Sequence, residues 1–109
     1  MGRRKTQDIV IERFSRDVSR RFRISKAILF GSRARGDALT ASDYDILLVS
    51  PDFEGVHFTE RASGVLRSLT AHFPLDLLCY TPKEFEEKRK QIGIVRVAVR
   101  EGKEFTVSG

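Results

Sequence analysis

The feature that most constrains this chain is an apolar run stopped by a glycine and answered by a second run that begins with two carboxylates. Ala27-Ile28-Leu29-Phe30 is apolar throughout and ends at Gly31-Ser32. Ten residues separate Ser32 from Asp43, where Asp43-Tyr44-Asp45 opens the run Ile46-Leu47-Leu48-Val49. Runs this short, bounded by turn residues, suit buried strands. Ten residues are long for a plain hairpin turn. We therefore expect strands over residues 24–30 and 43–49, with Gly31-Ser32-Arg33-Ala34-Arg35-Gly36 making a tight turn that leads into one helical turn. Ser50-Pro51-Asp52 ends the second strand.

The flanking sequence supplies helices. Ile11, Phe14, Val18 and Phe22 recur at spacings of three and four, which predicts an amphipathic helix over residues 7–22. Phe58, Ala62, Val65, Leu66 and Leu69 give a second. Pro74 opens a third strand over 75–80. Thr81-Pro82-Lys83-Glu84 is a helix start, with Thr81 as cap, Pro82 at the first helical position and Glu84 completing a capping box. Residues 92–100 fit a helix through Ile94, Val97 and Ala98, and a strand through Val95, Val97 and Val99. Gly102 ends that stretch in either case, and residues 105–107 suit a short edge strand, a place where a homodimer or partner could pair. The order predicts an α+β fold, a small mixed β-sheet with helices packed on one face, in a single domain over residues 1–109.

Several function classes drop out. No apolar run approaches the roughly 20 residues that cross a bilayer. Arg3-Arg4-Lys5 leads into an amphipathic pattern rather than the apolar core of a signal peptide, so a cytoplasmic location is expected. The match of Met1-Gly2 to Thr6 with a myristoylation pattern is taken as chance. Cys79 lies in an apolar run and reads as core, as do Phe14 and Phe22. His57 and His72 read as surface or helix-end positions, and Tyr44 and Tyr80 as strand packing. Up to Gly36 the chain carries eleven Lys/Arg against three Asp/Glu. That basic third suits an anionic partner such as a nucleotide, although Arg13, Arg16, Arg20 and Arg21 fit a solvated helix face. Nucleic-acid binding is not favoured on charge alone.

Asp43 and Asp45, two apart in a strand, leave the same face, with Tyr44 on the other. A bound divalent cation removes the repulsion between them, and hard oxygen ligands suit Mg²⁺ held together with substrate phosphates. Gly31 lets phosphate approach the backbone, Ser32 adds a hydroxyl, and Arg33 and Arg35 add fixed positive charge suited to phosphate. Asp76 sits among Leu75, Leu77, Leu78 and Cys79, where a lone charge is costly. It completes a carboxylate triad if the third strand neighbours the second; otherwise it caps a strand end or pairs with an arginine.

Gly31-Ser32, ten residues, Asp43-Tyr44-Asp45 and then Asp76 resemble the nucleotidyltransferase superfamily of DNA polymerase β type. More closely they resemble its minimal prokaryotic members, through residues 31–36 and the Ser-Asp-x-Asp segment 42–45. The resemblance implies a two-metal reaction on a nucleoside triphosphate such as ATP. Asp43, Asp45 and Asp76 would hold two Mg²⁺ ions, with Asp76 near the acceptor. Gly31 and Ser32 would seat the phosphates, with Arg33 or Arg35 neutralising the leaving pyrophosphate. Minimal members are typically paired with a helical HEPN toxin, to which the nucleotidyltransferase, as antitoxin, transfers AMP on a tyrosine. The expected function is thus transfer of a nucleoside monophosphate, AMP from ATP, to a partner protein's hydroxyl. The alternatives are a small-molecule or RNA acceptor, or a binding antitoxin without catalysis.

Overall fold

Asp8 starts the first helix. Its Oδ1 accepts hydrogen bonds from Val10 N and Ile11 N at 2.9 and 3.4 Å, so helix α1 spans Ile9–Ser19, shorter than the periodicity alone suggests. The computed structural model describes residues 8–35 and 43–107, with Arg35 described in its backbone alone. The basic segment Arg3-Arg4-Lys5, Gly36 and Ser42 therefore lie outside the described residues.

After α1 come strand β1 (Lys26–Phe30), the single helical turn α2 (Ser32–Arg35), strand β2 (Tyr44–Val49), helix α3 (Phe58–Arg67) and strand β3 (Leu75–Tyr80). Helices α4 (Pro82–Lys88) and α5 (Ile94–Glu101) and strand β4 (Lys103–Phe105) follow. The expected turn at Gly31 and the strand at 75–80 are both present. The sheet runs β3-β2-β1-β4. β1 is antiparallel to both β2 and β4, whereas β2 and β3 are parallel and joined through α3. The α+β class and the mixed sheet are as the sequence led us to expect.

The placing of the helices is not. They cover both faces of the sheet rather than one. Ile11, Phe14 and Val18 of α1 and Val65 of α3 pack with Ala27, Tyr44, Ile46, Leu48 and Cys79. Phe85 of α4 and Val95 and Ala98 of α5 pack with Ile28, Phe30, Leu47, Val49 and Tyr80 on the other side. The cause is written in β2. Ile46, Leu47 and Leu48 are all 0% exposed, and consecutive strand residues point to opposite faces. A continuous apolar run therefore needs cover on both sides. Each such side chain contributes about 1.5–3 kcal/mol by leaving water.

Residues 94–101 resolve to helix, with Val95 and Ala98 buried one turn apart and Val97 turned outward. Gly102 then brings the chain hard against β1. A Cβ there would meet the Ile28 side chain and lie 2.9 Å from the Leu29 carbonyl oxygen, so the turn from α5 into β4 requires glycine. The Thr81 capping box is formed: Glu84 N donates to Thr81 Oγ1 at 3.2 Å, and Thr81 N donates to Glu84 Oε1 at 2.9 Å. His57 caps α3 through Nδ1. Cys79 is buried, and burial pushes its thiol up to about 12, which suits a packing residue rather than a nucleophile. Among the described residues no helix is long and apolar enough to cross a membrane.

Candidate active site

The site lies where β1 ends and β2 and β3 begin. Phe30, the last residue of β1, is the antiparallel partner of Asp45, and Asp45 is the parallel partner of Asp76. Partners on adjacent strands lie about 5 Å apart with side chains on one face. That face is the one covered further along by α4 and α5, since Asp45 shares its parity with Leu47 and Val49. Asp43, just before β2, is exposed. The topology thus draws together carboxylates separated by some thirty residues of sequence, and Asp76 becomes their neighbour because β3 is added beside β2.

Asp76 is exposed, not buried as its apolar sequence neighbours suggested. It stands at the open start of β3, where the α4 and α5 cover has ended. The argument from costly burial therefore does not apply to it. Its place beside Asp45 rests on strand register instead.

Gly31 closes the site from the β1 side. Its φ of +78° is one that side chains disfavour, and a Cβ built on it would run into Asp45 Oδ2 and lie 3.3 Å from Asp45 Cγ. The Gly31-Ser32 turn therefore sits directly against the Asp45 carboxylate, with Ala34 N bonded to Gly31 O at 3.1 Å. Ser32 is half-buried at the first position of α2.

Burial foremost, then the charges of Asp76 and Asp43, hold the Asp45 carboxyl above the usual carboxylate range. Among the described residues no three His, Cys, Asp or Glu side chains close into a formed metal cage. The donor set nevertheless fits a hard divalent cation: oxygen ligands only, an excess of negative charge, and a glycine in place of a side chain beside them. A raised carboxyl in the folded state means that the folded chain holds its proton more tightly than the unfolded one. Asp45 thus lowers stability as pH rises through the ordinary carboxylate value, and the loss is complete above the folded value. In buffer containing a chelator, Asp45→Asn is expected to raise the melting temperature at pH 7. The gain should shrink as pH falls through the raised folded value and be gone below about 4. Thermal melts over that range measure it, and an Asn variant melting below its parent at pH 7 would refute the repulsion account.

Arg33, read from the sequence as a phosphate ligand, packs on Tyr44. Its guanidinium carbon lies 4.2 Å over the Tyr44 ring, and its Nη1 is 3.3 Å from Tyr44 Oη. Tyr44 belongs to the opposite face, within the α1–α3 core. The side chain of Arg35 lies outside the described residues. Tyr44 itself packs as expected, but its hydroxyl donates to Asp8 Oδ2 at 2.9 Å. Sequence reasoning missed this contact, and no local signal links residues 8 and 44.

The sequence pattern of the nucleotidyltransferase domain family matches residues 11–105. The chain belongs to the nucleotidyltransferase domain family. The match includes the turn, both strand carboxylates and Asp76. A candidate nucleotidyltransferase from Sulfolobus solfataricus, known from its crystal structure, is 28% identical with a TM-score of 0.52, over 75% of this chain and 62% of that one. This nucleotidyltransferase domain therefore spans less than two thirds of that protein's length. A second crystal structure of a candidate nucleotidyltransferase is 19% identical with a TM-score of 0.50, covering 89% of this chain and 95% of the other. At that identity the likeness is one of fold. No curated protein matches the chain. Members of the family typically use nucleoside triphosphates and divalent metals.

Proposed function

We propose that the chain transfers a nucleoside monophosphate, AMP from ATP, to a hydroxyl of a partner protein, with Mg²⁺ held by Asp43, Asp45 and Asp76. The observation that carries the reading is the Gly31-Ser32 turn pressed against Asp45, with Asp76 in register beside it. A phosphate chain seated at the turn meets the carboxylates that would hold the cation. Gly31 leaves room for it, and Ser32, with Arg35 from the same helical turn, supplies donors. A divalent cation bound at the carboxylates supplies positive charge to the phosphate oxygens. The acceptor oxygen then bonds to the α-phosphorus as the bond to the β-phosphate oxygen breaks. Pyrophosphate leaves, and the hydroxyl proton passes to Asp76 or to water.

The partner in this reading is a helical HEPN-type toxin, with the present chain as its antitoxin, a role supported by the motif resemblance. The test is incubation with α-labelled ATP, Mg²⁺ and lysate of the host, beside the Asp43→Ala/Asp45→Ala variant. Label on a protein band with the unmodified chain alone is the expected result. Label on RNA or a small molecule would replace the acceptor. No transfer from any of the four nucleotides, while a partner co-purifies equally with both forms, would leave contact alone as the function.

A further inference from the structure

The face opposite the carboxylates carries a second set of polar contacts that the transfer reaction leaves unused. Tyr44 stands between Asp43 and Asp45 in sequence, and its side chain is only 5% exposed. Its hydroxyl donates to Asp8 Oδ2 at 2.9 Å, while the other oxygen of Asp8 caps α1. Arg33 covers one side of the ring at 4.2 Å, and Phe73 meets the ring edge-on at 5.4 Å and 80°. Tyr44 N donates to Pro74 O at 3.0 Å, at the start of the pairing that sets Asp45 beside Asp76. One residue therefore joins α1, α2, β2 and the start of β3.

We propose that Tyr44, gripped by Asp8 and Arg33, is the positioning residue of the site, and that Arg33 is a strut between the Gly31-Ser32 turn and β2 rather than a phosphate ligand. Arg33 follows Ser32 on the same helical turn, so its stacking on Tyr44 fixes how far the turn stands from the strand. Asp43 and Asp45 flank Tyr44, so their backbone moves with the ring. Groups that orient metal ligands from behind typically change cation affinity by about 10–100-fold when removed. The inference rests on the proposed reading only in taking these carboxylates as cation ligands.

The two roles for Arg33 differ in sign. An arginine beside the carboxylates repels a cation, so its loss strengthens cation binding and weakens binding of pyrophosphate. An arginine acting as strut weakens cation binding when lost. The experiment is Mn²⁺ titration of the full chain, read by the electron paramagnetic resonance of free Mn²⁺, with Asp76→Asn as the reference for site binding. Arg33→Met and Tyr44→Leu are each expected to weaken Mn²⁺ binding about 10-fold, and the double variant no more than the worse single one, because the two act through one contact. If Tyr44→Leu does not fold, Tyr44→Phe decides. It keeps the ring and its stacking under Arg33 and removes only the hydroxyl, with its bonds to Asp8 and to Arg33 Nη1, and a loss of about 3-fold is expected.

Unchanged or tighter Mn²⁺ binding by Arg33→Met, additive losses, or a parent without Asp76-dependent Mn²⁺ binding each overturn the inference. Nucleotide transfer is assayed on the same samples. A parent that binds Mn²⁺ with the expected variant pattern, but transfers no nucleotide, upholds the strut and removes the transferase reading.

Discussion

Gly31→Ala is expected to reduce nucleotide transfer by about 10²–10³-fold while leaving a folded protein. Two costs fall on one atom. The +78° φ of Gly31 is left-handed, where a Cβ costs roughly 1–2 kcal/mol. The same Cβ overlaps the Asp45 carboxylate, so that carboxylate must swing away or the turn must retreat. Either movement displaces a reacting group, and a shift of about 1 Å is enough for some 10²-fold in rate. The methyl also fills the space proposed for phosphate, which takes the loss towards the upper end of the range. Ser32→Ala, which removes one hydroxyl donor and adds no strain, should cost only about 10-fold, equivalent to one hydrogen bond to a charged group. Steady-state rates with the acceptor identified by labelling, together with thermal melts, measure both variants. Near-parental transfer by Gly31→Ala would mean that Asp45 is free to move and that phosphate does not approach the turn.

The parts of the fold legible in the sequence were those set by local chemistry. Thr81-Pro82-Lys83-Glu84 carried its own helix start, and Leu75 to Tyr80 its own strand. Gly31 was legible as a turn because glycine at the end of an apolar strand has few other uses. What lay beyond reach depended on which element packs on which. Residues 94–101 became helix because Val95 and Ala98 meet the sheet together, and nothing within the segment selects that pair over Val95, Val97 and Val99. The two-sided cover of the sheet had a signal, the unbroken run from Ile46 to Val49, which alternation would have interrupted had one face met water. Arg33 had none. Its neighbours read as a phosphate motif, and nothing local announces the stacking of its guanidinium on Tyr44 beneath α2. Asp76 could be tied to Asp45 only on the condition that the third strand lies beside the second, which parallel pairing fulfils.

Arg61→Ala should have the largest effect on stability, for reasons that have nothing to do with the site. Arg61 lies on α3, on one face of the sheet, and Glu84 lies on α4, on the other. The guanidinium reaches past the edge strand β3 to join them: Nη1 and Nη2 donate to the two Glu84 carboxylate oxygens at 2.6 and 3.2 Å. Nη1 also donates to Cys79 O at 3.2 Å and Nε to Val56 O at 2.9 Å. Thus the arginine satisfies an edge carbonyl of β3 as well as clamping two helices. Arg61 is 7% exposed and Glu84 38%. Removing one partner of a fully buried pair costs about 3–5 kcal/mol, and water reaching the half-exposed Glu84 reduces this to roughly 2–3 kcal/mol. For a chain of this size that is a fall of about 10–20 °C in melting temperature. The hydrogen bond and charge of Arg61 hold the Glu84 carboxyl below the usual range. Glu84 therefore adds stability above the ordinary glutamate value, and that stability is lost as pH falls through the depressed folded value. The variant should accordingly lose part of the parent's acid dependence as well as its height. Arg61→Lys keeps the charge but not the planar fork and should fall between the two. Thermal melts at pH 7 and pH 4 test all three proteins, and transfer measured well below the melting range should be unaltered, since Arg61 touches none of Gly31, Asp43, Asp45 or Asp76. A shift in melting temperature of less than about 3 °C, which is below 1 kcal/mol on the same scale, would show that the two faces of the sheet are held by their apolar cores alone.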